Sequence, residues 1–452
     1  MDKSPAGTLP VRTKLLYGVG DVGNALVNSA IQFFLLKFYT DGALILPALA
    51  SSALLIGKIW DAINDPLMGW LTDRSTHRLG KRRVFMLFGA IPLGISVALL
   101  WFVPAGMPAL WTFVWIALTF TLFDTLWTLT NVPYYALTSE LTDNYDERSS
   151  LTAYRMVMAV PAYLVGAAIT PAIVGVFAIQ RTGYAAIGII YGVLAALALL
   201  GCAFGIRERK TPTPAAASRS KPLESLKIAL QNKPFVRLLV AYITLNMAFA
   251  LIKTLMAYFL QYQLDMAAET TLVMGLLLIC VTLSLFVWKK ISEKLDKGPS
   301  YAIGMLIGAL AVSFMFFLPN AKTSLVYPIA ALAGFGFGAQ WIFPWAMVAD
   351  VADVDQAKTG EQRSGMYYGV WGLVTKLSEA LAIASSGWIL TGFGYVPNVA
   401  QTEFARLGIR LFFGPVPAVL ILLALPLLIW YPITRKTHAA MQQQQLETKG
   451  EA

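Results

Sequence analysis

Charge is scarce in this sequence. Only 13% of its 452 residues are Asp, Glu, Lys or Arg, against 57% hydrophobic, where a soluble protein carries roughly a quarter charged residues. That shortage excludes an ordinary water-soluble domain. Cysteine is scarcer still. Cys202 and Cys280 are the only two, and both fall inside apolar runs, which argues against a disulfide framework and against a thiolate metal site. The two histidines, His77 and His438, sit in polar segments and form no ligand cluster. No G-x-x-x-x-G-K-[ST] loop occurs, so ATP is not a direct energy source. No Ser/His/Asp constellation is assembled, so neither an enzyme nor an organic cofactor is expected. The first apolar run is too long for a signal-peptide core, and no cleavable leader is expected.

What the chain has instead is apolar runs of about 20 residues, the length that spans a bilayer. They lie near 15–40, 45–72, 83–103, 110–138, 153–178 and 183–206, then near 235–262, 270–288, 299–319, 325–349, 364–393 and 406–433. The expectation is an all-α membrane protein of twelve transmembrane helices. Between the sixth and seventh runs lies "RKTPTPAAASRSKP", rich in Pro, Ala, Ser and charge, which reads as a cytoplasmic linker. The expected organisation is a six-helix half at 1–206, a linker at 207–233, a second six-helix half at 234–434 and a polar tail at 435–452. Two such halves joined by a linker are the architecture of the major facilitator fold, in which the halves rock about a central site. Internal repetition is faint. "GWLTDRSTHRLGKRR" after span two and "WKKISEKLDKG" after span eight match only in being short, basic and carrying an acid.

The net charge of +10 does not point to nucleic acid, because it alternates along the chain. Arg74, Arg78, Lys81, Arg82 and Arg83 follow span two. Arg207, Arg209, Lys210, Arg219, Lys221 and Lys227 follow span six. Lys289, Lys290, Lys294 and Lys297 follow span eight, and Arg435 and Lys436 follow span twelve. The intervening loops are poor in Lys and Arg. This positive-inside pattern predicts both termini in the cytoplasm. Short loops and a compact tail make a bacterial inner membrane the expected location, with the lipid bilayer as a partner and a monomer as the unit.

"IWDAINDP" (59–66) places two carboxylates, Asp61 and Asp65, in span two. Four residues apart, they share one helix face. Asp61 lies about 11 residues, or roughly 16 Å, from the cytoplasmic end of its span, which is near the midplane. A carboxylate there costs about 2.5–3.5 kcal/mol, and two repel unless a cation or proton is shared. Their oxygens suit Na⁺, Li⁺ or H⁺. A structural salt bridge with Lys58 is the plainer alternative. Pro66 removes a backbone donor and frees a carbonyl one turn earlier.

"WDAINDP" followed by a basic loop resembles the glycoside–pentoside–hexuronide:cation symporters, the melibiose-permease-like branch of the major facilitator superfamily. "YGVGDVGNA", "FYTD", "NVPYYALTSELT", "ERSSLTAYRM", "ADVADVDQAKTGEQRSG" and "VTKLSEALA" extend the resemblance over nearly the whole chain. The "VPYYALT…ERSSLTAYRM" segment is also similar to the animal sodium-dependent lysophosphatidylcholine symporters. The resemblance implies that Asp61 and Asp65 hold the coupling cation and that Lys376 couples it to substrate. It also implies that Arg155, Trp127 and Tyr135 lie near the sugar. Two family aspartates that bind galactosides are Ala25 and Asn131 here, so galactoside specificity does not carry over.

Other polar residues in the spans are candidates on chemical grounds. Asn28 and Gln32, four apart, offer hydrogen bonds to substrate or to other helices. Asp124 could contact substrate or pair with Lys253. Lys376 and Glu379 could pair on one helix face. Trp341, Trp345 and Trp371 could stack on a sugar ring or serve as interfacial anchors. Asp21 is grouped with loop charges. Asp73, Arg74, Arg82 and Asp350 are candidate gating charges, with Asp73, Gly80, Lys81 and Arg82 resembling the major facilitator loop motif after span two. The expected function is secondary symport of Na⁺ or H⁺ with a glycoside, pentoside or uronide. The alternative is a cation-coupled carrier of a lysophospholipid or other amphiphile.

Overall fold

The computed structural model describes residues 9–75, 77–142, 145–206, 208, 222–359 and 363–434. Fourteen helices follow in order: α1 (Val11–Ala30), α2 (Pro47–Asp73), α3 (Arg83–Leu100), α4 (Ala109–Leu141), α5 (Tyr145–Gly175), α6 (Gln180–Gly205), α7 (Pro222–Gln231), α8 (Lys233–Tyr258), α9 (Thr270–Leu295), α10 (Lys297–Met315), α11 (Val326–Thr359), α12 (Ser364–Gly392), α13 (Glu403–Phe413) and α14 (Pro415–Ile429). Among the described residues, ten stretches are long and apolar enough to cross a membrane, the last being α13 and α14 taken together as Glu403–Ile429. The remaining two spans of the expected twelve are α1 and α2. They are as long as the others, but Asn24, Asn28 and Gln32 in the first span and Asp61, Asn64 and Asp65 in the second dilute their apolar character. Proline marks several starts by supplying a preset φ where no N–H is needed: Pro47 opens α2 and Pro415 opens α14. α2 runs unbroken through Pro66. The last third of the expected linker is helical, as α7.

The chain forms two compact units. One is built on α1–α6 together with Ala267–Thr271 and Ile383–Ala405; the other takes α7, α8, Leu272–Ala382 and the chain from Arg406. The segment Ile383–Ala405, which the sequence reading puts in the second half, thus packs with the first unit. Its anchor is a buried ion pair near the end of span one. Lys37 Nζ lies 2.7 Å from Asp41 Oδ2, one turn on. Thr40 donates to Asp41 Oδ1 (2.8 Å), the Tyr395 hydroxyl donates to the same oxygen, and Asn398 Nδ2 donates to the Asp41 backbone carbonyl (2.7 Å). Ala48 N–H donates to Thr391 Oγ1 at 2.9 Å, and a Cβ on Gly387 would meet Ser51 Oγ at 2.2 Å.

In the first unit, "YGVGDVG" is explained by close packing. A Cβ on Gly18 would lie 2.9 Å from the Tyr154 carbonyl of α5, on Gly20 2.6 Å from the Tyr134 ring of α4, and on Gly23 2.3 Å from Ala195 Cα of α6. Three glycines let α1 approach three neighbours, which is how small residues drive helix association in membranes. The same device joins α3 to α6 at Gly94 and Gly192, and α10 to α11 at Gly308 and Gly336 in the second unit.

Span one ends in two π-helical stretches, Ile31–Leu35 and Phe38–Gly42, and span seven ends in one, Phe259–Gln263. The chain then exits identically. Ala43 N–H donates to Phe38 O (2.9 Å) and Ile45 N–H to Tyr39 O (3.2 Å); Leu264 N–H donates to Phe259 O (3.3 Å) and Met266 N–H to Leu260 O (2.8 Å). Leu44 (φ 59°) and Asp265 (φ 52°) are left-handed, a conformation that costs an L-residue roughly 1–2 kcal/mol.

At the other end of α1 a polar clamp ties it to α5. Glu147 accepts from the Leu9 N–H (2.9 Å) and lies 3.0 Å from Lys14 Nζ, which also donates to Ser150 Oγ (2.9 Å). Glu147 precedes the apolar window that opens at Ser150. The Leu9 N–H, and after it Lys14, hold its carboxyl below the usual range. A depressed folded value means that the clamp's contribution is complete above the unfolded pKa of about 4.3 and is lost as pH falls through the lower folded value. The melting temperatures of the wild type and Glu147→Gln should therefore differ by a constant amount above about pH 5 and converge below about pH 4. A gap that widens on acidification would refute the clamp.

Candidate functional site

Three polar groupings stand on these helices. The first is on α2. Asp61 is 3% and Asn64 1% exposed, and Asp65 is half-buried one turn on. Thr128 of α4 donates to Asp65 Oδ1 at 3.0 Å. Asn64 Nδ2 donates to the Asp124 backbone carbonyl at 3.4 Å, which orients the amide. No donor among the described residues reaches its Oδ1. Lys58 Nζ stands 3.7 Å from Asp61 Oδ2 and 5.7 Å over the Phe120 ring. Lys58, Asp61 and Asp65 thus bring one amine and two carboxyl groups to the same stretch of α2. Among the described residues no group of three or more His, Cys, Asp or Glu stands together. The donor set is therefore two carboxylates with amide and hydroxyl oxygens, the hard oxygen ligands that suit an alkali-metal ion. Asn64 and Thr128 are absent from the sequence reading. Asn64 was within its reach, three residues after Asp61 on the same face. Thr128 was not, because only the packing of α4 on α2 brings it there.

The second grouping gathers residues that the sequence scatters over α1, α4 and α5. Asp21 is not a loop charge but a buried one, 7% exposed. Its Oδ2 lies 3.5 Å from Arg155 Nε, and its Oδ1 accepts from Asn24 Nδ2 and from the Tyr135 hydroxyl, both at 3.5 Å. The Arg155 guanidinium sits 5.0 Å over the Tyr135 ring. Asn24 Nδ2 also donates to Asn131 Oδ1, and Asn131 Nδ2 to the Trp127 carbonyl at 3.0 Å. Tyr17 stacks on Tyr134 at 5.0 Å, closing the cluster's side. Farther along α1, Gln32 donates to Asn28 (3.1 Å) and accepts from the Tyr163 hydroxyl (2.9 Å). Asn28 and Gln32 therefore serve at least in part to join helices α1 and α5. Asp124 is 3% exposed, next to Phe123, whose ring meets that of Trp127 at 5.4 Å.

The third grouping belongs to the second unit. Trp371 is fully buried and stacks on Tyr242 at 4.0 Å. Its face is taken, so it does not offer the stacking surface expected of it. Trp345, 52% exposed, stands edge-on to Trp371 and parallel to Tyr368, each at 6.4 Å, and does offer a face. Lys253 Nζ is 3.8 Å from Glu379 Oε1. Lys376 is half-buried on the same face of α12 as Glu379.

Two of the gating candidates, Arg82 and Asp350, form ion pairs, each inside its own unit. Arg82, 7% exposed, donates to Thr72 Oγ1 (2.9 Å) and lies 3.9 Å from Glu140. The backbone N–H groups of Lys81, Arg82 and Arg83 all donate to Glu208, at 2.6–2.8 Å. Asp350 pairs with Lys297 at 2.6 Å. Arg74 is exposed, and the Asp73 side chain lies outside the described residues.

A family profile described as MFS/sugar transport protein matches residues 16–435. The chain is 28% identical to the sodium-dependent lysophosphatidylcholine symporter 1-A of Danio rerio, over 94% of this chain and 86% of that protein. It is also 28% identical to a putative sulfoquinovose importer of Escherichia coli, over 95% of this chain and 92% of that one. Among solved structures it is similar to a bacterial homolog of the human lysosomal transporter Spinster, with a TM-score of 0.70 at 13% identity, covering 93% of this chain and 95% of that one. At that identity the likeness speaks to the fold alone.

Proposed function

The chain belongs to the MFS/sugar transport family, and on that premise we propose that it couples a monovalent cation to the uptake of a sugar or glycoside. The observation that carries the reading is the set of oxygens on α2 and α4. Asp61, Asn64 and Asp65 on two turns of α2, with Thr128 of α4 bonded to Asp65, offer two carboxylates, an amide oxygen without a donor among the described residues, and a hydroxyl. A cation bound there cancels charge that otherwise opposes burial. It thereby raises affinity for a solute, and by linkage the solute raises affinity for the cation equally. Only the empty or doubly loaded carrier then changes the side to which it opens. Lys376 has the coupling role in this proposal, through the resemblance of "VTKLSEALA". The solute is held by the hydroxyl-binding groups of α1, α4 and α5. The inner membrane of a bacterium, with both termini cytoplasmic, is part of the same reading.

Uptake by proteoliposomes tests it. The panel is neutral glycosides, pentosides, uronides and a lysophospholipid, each with and without an inward sodium gradient and at fixed pH. Sodium-stimulated accumulation of a glycoside is the expected result. Stimulation confined to the lysophospholipid would replace this reading with an amphiphile carrier, the substrate that the Danio rerio relative's name gives.

A further inference from the structure

We propose that Asp21 sets the charge class of the substrate. It keeps the α1–α4–α5 cluster neutral, so that this cluster accepts an uncharged, hydroxyl-bearing group and disfavours an anionic one. The inference rests on the reading above, that a solute is bound by these helices.

The charge balance is the first ground. Arg155 alone would make the cluster a receptor for carboxylate, sulfonate or phosphate, the groups its guanidinium binds best. Asp21 Oδ2, 3.5 Å from Arg155 Nε, supplies the opposing charge from within. An arriving anion would meet that carboxylate in a buried setting, where like charges repel strongly. Each of Asp21's approaches to Arg155, Asn24 and Tyr135 is 3.5 Å, at the long end of hydrogen bonding. The carboxylate neutralises its neighbours without saturating them.

Unmatched atoms are the second ground. Two buried polar atoms of the cluster make no hydrogen bond among the described residues: Asn24 Oδ1 and Arg155 Nε. The Asn24 amide cannot be turned to relieve this. Its nitrogen already faces two acceptors, Asp21 Oδ1 and Asn131 Oδ1, and Asn131 is held in turn by donating to the Trp127 carbonyl. The cluster thus lacks one donor, for Asn24 Oδ1, and one acceptor, for Arg155 Nε. Buried polar groups left in that state are destabilising until a ligand satisfies them. A hydroxyl both donates and accepts, so a single alcohol, such as the hydroxymethyl of a neutral hexoside, meets both needs. An ionised oxygen only accepts, so it serves Arg155 and leaves Asn24 unmet.

Three solutes that differ only at one carbon test this: methyl glucoside, methyl glucuronide and methyl sulfoquinovoside. Uptake or competition by each is measured in proteoliposomes with sodium present, for the wild type and for Asp21→Asn. The wild type should prefer the neutral glucoside by tenfold or more. Asp21→Asn, which keeps the size and leaves Arg155 uncompensated, should shift the neutral-to-anionic ratio toward the anions by at least tenfold, and Asp21→Glu should restore it. A wild-type preference for either anion overturns the inference, and this readout needs no variant to fold. An unchanged ratio in a folded, sodium-stimulated Asp21→Asn also overturns it and leaves the symport reading intact. Silence toward every solute, with or without sodium, removes the symport reading and this inference with it.

Discussion

Asp65→Asn and Asp61→Asn are each expected to abolish sodium-driven accumulation while the protein remains folded and membrane-inserted. Either change removes one of the two α2 carboxylates, and with it a charged ligand of the proposed cation site. The amide that replaces Asp65 keeps an oxygen for the Thr128 hydroxyl, now 3.0 Å from Asp65 Oδ1, so the packing of α4 on α2 survives. Stability should not fall, because a carboxylate at membrane depth itself costs about 2.5–3.5 kcal/mol. The combination of lost coupling with an equal or higher melting temperature separates a cation-site role from a structural salt bridge. A structural Lys58–Asp61 pair predicts the reverse for Asp61→Asn: retained uptake and a lower melting temperature. Asn64→Ala and Thr128→Val should raise the sodium concentration for half-maximal uptake rather than abolish transport, since each removes one neutral oxygen. Full sodium-stimulated uptake by both aspartate variants would sink the assignment.

A second large effect is expected at the crossing of α3 and α6. A Cβ on Gly192 would lie 2.3 Å from the Gly94 carbonyl oxygen, and one on Gly94 2.6 Å from the Gly192 carbonyl oxygen. Both obstacles are backbone, so no side chain can turn aside. Gly192→Leu must push the helices apart and forfeit their van der Waals contact, which in lipid has no hydrophobic effect behind it to compensate. Overpacking a core costs typically 1–3 kcal/mol when side chains can adjust, and here they cannot. Gly192→Leu should yield aggregated or degraded protein. Gly201→Ala on the same helix, where nothing lies within 4 Å, should purify and melt like the wild type. Size-exclusion profiles in mild detergent distinguish them, and a monodisperse Gly192→Leu would show that the crossing is looser than drawn.

Ten of the expected spans were legible because each carries its own signal among the described residues, an apolar run of bilayer length. Asp61 and Asp65 were conspicuous for the opposite reason: charge stands out where everything around it is apolar. Relations between distant helices were not. Thr128 is one of many threonines in α4 until α2 lies beside it. Asp21 looked like a loop charge because it sits near the start of its span among glycines, and those same glycines are what bury it. Trp371 looked like a platform for a ring, but Tyr242, 129 positions earlier, occupies its face. The placement of Ile383–Ala405 with the first unit depends on Asp41 meeting Tyr395 and Asn398, contacts between residues with no shared periodicity.

The matching exits of spans one and seven mark a correspondence between the two parts of the chain. Leu44 and Asp265, the left-handed residues after those spans, are 221 positions apart, and Gly80 and Asp296, the left-handed residues before spans three and nine, are 216 apart. Backbone geometry thus supplies an internal ruler where side chains do not. Laid along span two, the ruler sets Asp61 and Asp65 against the stretch Leu277–Phe286 of α9, "LLICVTLSLF", which holds no carboxylate. The same backbone pattern therefore carries paired carboxylates in one part of the chain and uncharged side chains at the corresponding place in the other.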